Sequence, residues 1–350
     1  MKNTLFRTSL SVLGLSWLAA CSGAGTAGPT TAPGSEATKL MLGAYTTPRE
    51  AYGEIIPLFQ AKWKADTGQG VTFEESYLGS GAQSRAVVEG FEADVVALSL
   101  EADVARIEAA GLITHDWHSA PNNGMVSTSI VVFGVRAGNP QGIVDWADLA
   151  KPNLEVLTPN PETSGGAMWN ILALYGAALR GHVAGVPADD QAAAANFLQS
   201  VLGNVSVMDK GARESITNFE TGVGDVIITY ENEIRVGQKA GQDYEMITPI
   251  STIRIDNPVA VVDTYVDKHG TREVAEAFVA FLFTPEAQTI LAKHGLRAVD
   301  PGVAAATAAE YPPVTDLFTV DYFGGWGSIR TEIFGEGGVY PNAIAGAQGQ

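Results

Sequence analysis

With 350 residues, 46% of them apolar and 17% charged, the chain can bury a large core and is long enough for two lobes. A formal net charge of −18 excludes the basic footprint that nucleic-acid phosphates demand, but not a small anion, because binding is decided by local donors. The only cysteine, Cys21, excludes an internal disulfide and any multi-cysteine metal site.

Residues 1–21 read as a targeting segment. Lys2 and Arg7 form a positive start, and Leu10 to Leu18 a short apolar run. At nine residues that run is too short to span a bilayer, which needs about 20. It closes on Leu18-Ala19-Ala20-Cys21, which resembles a lipobox, with Cys21 acylated as the new N-terminus. The alternative is a plain secretory signal. Residues 22–38 are a Gly/Ala/Thr/Pro tether. Its Gly23-x-Gly25-x-x-Gly28 has no strand before it and no helix after it, so it is no dinucleotide site.

Lys39 to Ala44 reads as a strand, followed by Tyr45-Thr46-Thr47-Pro48 and a helix with Tyr52, Ile55, Ile56, Phe59 and Trp63 at spacings of three and four. Val71 to Ser76 alternates as a strand and leads through Gly79-Ser80-Gly81 into a helix. Ala93 to Leu98 is a short buried strand, Asp103 to Ala110 a helix, and Thr128 to Val135 an apolar strand. Strands alternating with helices predict an α/β fold with largely parallel sheet order, with ligands beyond the carboxyl ends of the strands. The first crossing between lobes falls near Ser127–Phe133. Residues 39–128 and 256–345 form one lobe, and 129–255 the other.

In the second lobe, Asn160-Pro161-Glu162-Thr163-Ser164-Gly165-Gly166 runs into the apolar stretch Trp169 to Tyr175, so a helix begins near Gly166. The first N–H groups of a helix have no internal partner, and glycines let an anion approach them. An anion cradle is one reading, and an ordinary Ser164 N-cap with turn glycines is the other. Asp209-Lys210-Gly211-Ala212-Arg213 makes a similar helix start through Ile216 and Phe219. Val223 to Glu233 reads as a buried strand ending in polar residues, with Glu231 and Glu233 solvated or in contacts between the lobes. Two helices, Thr271 to Phe283 and Pro285 to His294, cover the first lobe. Tyr311 to Gly327 is an aromatic loop, and the tail after Ile344 is frayed.

These motifs, in this order, resemble the sulfate-binding proteins, receptors of sulfate/thiosulfate ABC importers, over roughly Leu40 to Tyr340. Asn-Pro-x-Thr-Ser-Gly-Gly-Ala-x-Trp-Asn at 160–170, Gly79-Ser80-Gly81, Asp209 to Arg213 and Gly224 to Glu233 carry the likeness. It implies a type II periplasmic-binding-protein fold, two α/β lobes joined by hinge strands, closing on a dehydrated tetrahedral dianion. The implied contacts are Thr46 and Ser80 from the first lobe and Ser164, Gly165, Gly166, Ala212 and Tyr230 from the second. All are backbone N–H groups or neutral side chains. The implied partners are sulfate or thiosulfate, an ABC permease, and the membrane through a lipid anchor on Cys21. The protein is then an extracytoplasmic monomer with no cofactor, metal or catalytic residue.

One departure bears on selectivity. Enteric-type relatives carry Trp where Tyr230 stands before Glu231-Asn232-Glu233. Indole only donates, whereas a phenol also accepts, so a protonated oxyanion such as hydrogen phosphate gains a partner. Arg213 and Arg85 adjoin the cradle as supporting arginines or as counter-ions. Among enzymatic readings, His115-x-x-His118 lacks further ligands, and Gly-x-Ser-x-Gly is absent. The alternatives are a receptor for phosphate or molybdate and a secreted anchored hydrolase.

Overall fold

The structure, a computed structural model, describes residues 37–349. The leader, Cys21 and the tether up to residue 36 lie outside the described residues. The strands are β1 (Thr38–Tyr45), β2 (Val71–Leu78), β3 (Val95–Ala97), β4 (Met125–Val135), β5 (Val156–Pro159), β6 (Val205–Asp209), β7 (Val226–Tyr230), β8 (Glu245–Ile247), β9 (Ser251–Val261) and β10 (Asp316–Phe318). Between them run α1 (Arg49–Thr67), α2 (Ser80–Val88), α3 (Glu101–Ala109), α4 (Gly165–Leu179), α5 (Gln191–Gly203), α6 (Ala212–Glu220) and α7 (Glu231–Lys239). The helices α8 (Asp263–His269), α9 (Arg272–Leu282), α10 (Pro285–Lys293), α11 (Pro301–Ala306), α12 (Gly325–Ser328) and α13 (Val339–Gln348) follow.

The strands join in the order β2-β1-β3-β9-β4-β7-β5-β6, with β8 beside β4 and β10 beside β9. Two strands of 11 residues link the halves of this sheet. β4 pairs with β9 up to Ile130 and with β7 from Val131 onward. β9 in turn pairs with β3 through Val259–Val261. Both run antiparallel to their neighbours in this path, so the sheet is mixed rather than largely parallel. A strand that passes out of one half and one that returns must run in opposite directions.

Period-two alternation places successive side chains on opposite faces, and here both faces are covered. Val95 and Ala97 of β3 pack with α1, α9 and α10, whereas Val96 and Leu98 face Val104, Ile107 and Trp117. In the other half, Val131, Phe133 and Val135 of β4 pack with α4 and α5, while Ile130 and Val132 meet Ile216, Phe219 and Ile234.

The sequence reading departs from the fold at the end of β7 and in the C-terminal region. The stretch ending at Glu233 is not one strand: β7 stops at Tyr230, and Glu231 opens α7. The segment from Tyr311 contains β10, and the tail after Ile344 belongs to α13 rather than fraying. This C-terminal stretch, assigned from sequence to the first lobe, packs on the second. Phe318, Ile329, Ile333 and Ala343 join the cluster of Leu172, Phe197 and Leu198.

Candidate functional site

Five connections after strand ends gather at one place, and each positions a candidate residue. β2 ends at Leu78, and Gly79 caps α2, whose first residue is Ser80. A Cβ on Gly79 would stand 2.5 Å from the Thr163 carbonyl oxygen, so this turn lies directly on the one before α4. The Ala82 N–H also points at that oxygen, at 3.4 Å. Ser164 caps α4 and accepts from Ala167 N at 3.4 Å, so the N-cap reading describes its hydroxyl in this state. α4 is held to its sheet by Asn170, whose amide donates to Thr158 Oγ1 at 2.9 Å and Ile228 O at 2.8 Å.

Gly165 and Gly166 are where the absence of a side chain is required. A Cβ on Gly165 would meet Ser99 Oγ at 2.8 Å, and one on Gly166 would meet Tyr230 Cε2 at 2.7 Å and Ala212 Cβ at 3.4 Å. Ala212 is the first residue of α6, and Tyr230 caps α7. Ser80, Ser164, Gly165, Gly166, Ala212 and Tyr230 are thus buried together. Thr46 sits half-buried in the turn before α1, accepting from Arg49 N at 3.3 Å. It joins the group through its neighbours: the Tyr45 and Tyr230 rings are 6.3 Å apart, and Thr47 O faces Arg213 Nη2 at 3.4 Å.

The backbone N–H groups of Ser80, Gly81, Gly165, Gly166 and Ala212 have no hydrogen-bond acceptor among the described residues. Native proteins pair nearly all buried N–H groups, and an unpaired one costs about 1–3 kcal/mol. Three helix starts with their positive dipole ends at one buried locus supply partial charge for an anion.

The charges at the starts of α6 and α7 are already matched. Arg213 binds Glu50 through Nη1 at 2.5 Å and Nη2 at 2.9 Å, and its Nε lies 2.9 Å from Glu233. It is a supporting arginine, not a free counter-ion. Burial alone would raise the Glu50 carboxyl, but the bonds from Arg213 outweigh it and its pKa lies below the ordinary value. Glu233, fully enclosed, is raised by burial, with Arg213 opposing the shift. Glu231 bonds Arg297 at 2.7 Å and Arg235 at 2.8 Å. Neither glutamate is solvated, and the Arg297 pair ties α7 to the segment after α10. Arg85 places Nη1 3.5 Å from where a Gly81 Cβ would stand. His115 and His118 are engaged separately, with Asp263 at 2.7 Å and Glu101 at 3.2 Å.

The sequence reading passed over Ser99, two residues past the end of β3. Its N–H donates to Ser80 Oγ at 3.0 Å, its carbonyl accepts from Trp169 Nε1 at 3.0 Å, and its hydroxyl lies 2.5 Å from Tyr230 OH. Ser80 Oγ in turn donates to Asp103 at 2.6 Å. The rule that ligands gather beyond strand carboxyl ends was the available signal.

The pattern of the bacterial extracellular solute-binding protein family matches residues 40–297. The sulfate-binding protein of Synechococcus elongatus is 46% identical over 313 residues, covering 88% of each chain. The thiosulfate-binding protein of Pseudomonas aeruginosa is 37% identical over 303 residues, covering 85% of this chain and 89% of its own. Among solved structures, the sulfate-binding protein SubI from Mycobacterium tuberculosis superposes with a TM-score of 0.77 at 39% identity, covering 84% of this chain and 98% of that one.

Proposed function

The chain belongs to the bacterial extracellular solute-binding proteins, and within them to the sulfate-binding protein family, and we propose that it is the receptor of an ABC importer for sulfate or thiosulfate. One observation carries the reading: buried N–H groups at the starts of α2, α4 and α6 converge with no acceptor among the described residues. A tetrahedral dianion supplies acceptors in several directions at once. Its charge is spread over fixed dipoles rather than matched by a side-chain cation, since Arg213 is already neutralised.

The residues assigned to the anion are Thr46, Ser80, Ser164, Gly165, Gly166, Ala212 and Tyr230. The lobes are 39–128 with the chain from 256 to about Tyr311, and 129–255 with the C-terminal stretch from Val314. β4 and β9 are the hinge strands, since both change partners between the halves. The protein acts as a monomer without turnover, anchored outside the cytoplasm by acylation of Cys21.

A thermal-shift panel of sulfate, thiosulfate, molybdate and phosphate tests this. A ligand bound only by the folded form adds about 2.7 kcal/mol at a hundred times its Kd, so sulfate or thiosulfate raises the melting temperature most. A panel with no shift, or one led by molybdate or phosphate, refutes the substrate assignment. Hydrolysis of sulfate or phosphate esters by the purified protein refutes the receptor reading. Mass spectrometry of the mature N-terminus, with Cys21→Ser as control, tests the anchor.

A further inference from the structure

We infer that Ser99 and Tyr230 form a reversible hydroxyl pair that lets the cradle hold a singly protonated tetrahedral oxyanion of the hydrogen-phosphate class as well as a fully deprotonated one. Ser99 is the specificity-determining member. The inference rests on the oxyanion-receptor reading and adds a second substrate class to it.

The two oxygens lie 2.5 Å apart, and either can donate. Ser99 Oγ also lies 3.2 Å from Trp169 Nε1, which can only donate. The pair owns two protons and spends one internally. When Ser99 donates to the phenol, the phenol's own proton is free for a deprotonated oxygen of the guest. When Tyr230 donates to Ser99, the serine oxygen takes both Tyr230 and Trp169 as donors. The phenol oxygen then keeps a lone pair for a guest that carries a proton. The two arrangements differ only in hydroxyl torsions, so no heavy atom moves. An indole in place of Tyr230 has no second arrangement.

The pair stands in the cradle itself. Tyr230 Cε2 is 2.7 Å, and Ser99 Oγ 2.8 Å, from the points where side chains on Gly166 and Gly165 would begin. Ser99 belongs to the β3 end and Tyr230 to the β7 end, so the pair also spans the two halves. Burial keeps the phenol protonated far above neutral pH. The charged and titratable groups around it are Glu233, Asp103 and Tyr45. Asp103 is bonded by Ser80 and Arg106, and Glu233 lies against Arg213.

Calorimetric titration of the mature chain with sulfate and with inorganic phosphate, across neutral pH, tests this. The wild type is expected to bind both. Phosphate affinity should rise with pH as the second proton leaves, while sulfate affinity stays flat. Ser99→Ala is expected to lower phosphate affinity about tenfold more than sulfate affinity, because a flipped phenol proton would then lack an acceptor. Tyr230→Trp is expected to move the ratio the same way. A wild type that binds sulfate but not millimolar phosphate overturns this inference alone. So does Ser99→Ala losing both anions equally, which would make Ser99 a packing residue. A wild type that binds neither sulfate nor thiosulfate removes the receptor reading, and this inference with it.

Discussion

Arg213 and Glu50, 163 positions apart, are joined by two guanidinium–carboxylate hydrogen bonds, at 2.5 and 2.9 Å. The pair links the first turn of α6 to the first turn of α1, on either side of the proposed cleft. Glu233 completes it from behind at 2.9 Å.

Replacing Arg213 should therefore cost more than replacing Glu50. Arg213→Met leaves the enclosed Glu233 carboxylate without its cation, and we expect a loss of about 3 kcal/mol in urea denaturation. Glu50→Gln removes the partly exposed half, so we expect about 1 kcal/mol or less, together with weaker anion binding through a less favoured closed form. Equal losses from the two variants would contradict this division.

The glycines of the cradle lead to the next expectation. Gly165→Asp or Gly166→Asp puts a carboxylate among the donors, and Cβ alone already meets Ser99 Oγ at 2.8 Å or Tyr230 Cε2 at 2.7 Å. Sulfate binding should disappear in both variants while far-ultraviolet circular dichroism stays close to wild type. Near-native affinity in both would detach the site from this turn.

Ser80→Ala and Ser164→Ala should each weaken anion binding by about 1–3 kcal/mol. They should differ in stability. Ser80 joins Ser99 N to Asp103 in a buried chain, so its loss strands two polar groups, whereas Ser164 caps α4 through a longer 3.4 Å bond. We expect Ser164→Ala to cost about 0.5–1 kcal/mol, toward the low end for a cap. Titration calorimetry and denaturation on the same samples separate the two effects.

His269 should make stability pH-dependent far from the cleft. Its Nδ1 lies 2.8 Å from Asp94 and its Nε2 2.9 Å from Glu92. Partial burial favours the neutral ring, but the two carboxylates outweigh it and the pKa is raised. A raised native pKa means that the contribution is complete below the unfolded value of about 6.5 and is lost as pH rises through the native value. His269→Gln should flatten the stability–pH curve on the alkaline side of about pH 6.5. An unchanged curve would mean that the ring is not charged there.

Much of the architecture was legible because it is local. The three- and four-residue spacing of Tyr52, Ile55, Ile56, Phe59 and Trp63 is the buried face of α1. Ser80, Gly165 and Ala212 lie at helix starts as their small-residue turns imply. α7 was hidden because Glu231-Asn232-Glu233 looks like the wet end of a strand. Arg235 lies four residues beyond Glu231, but nothing local reveals that the distant Arg297 and Arg213 complete the neutralisation. The Gly/Ala-rich tail likewise gives no sign of becoming α13, where Gly346 packs so close to Gln199 that a Cβ would come within 2.6 Å of it.

From sequence alone came the first strands, the starts of α1, α2, α4 and α6 and their small residues, since backbone preference and capping are decided within a turn or two. Which starts face one another, that Ser99 meets Tyr230 from 131 positions away, and that buried glutamates find their arginines, were decided only by the tertiary structure. Such contacts depend on strand order and on the crossings of β4 and β9, which no local window of residues encodes.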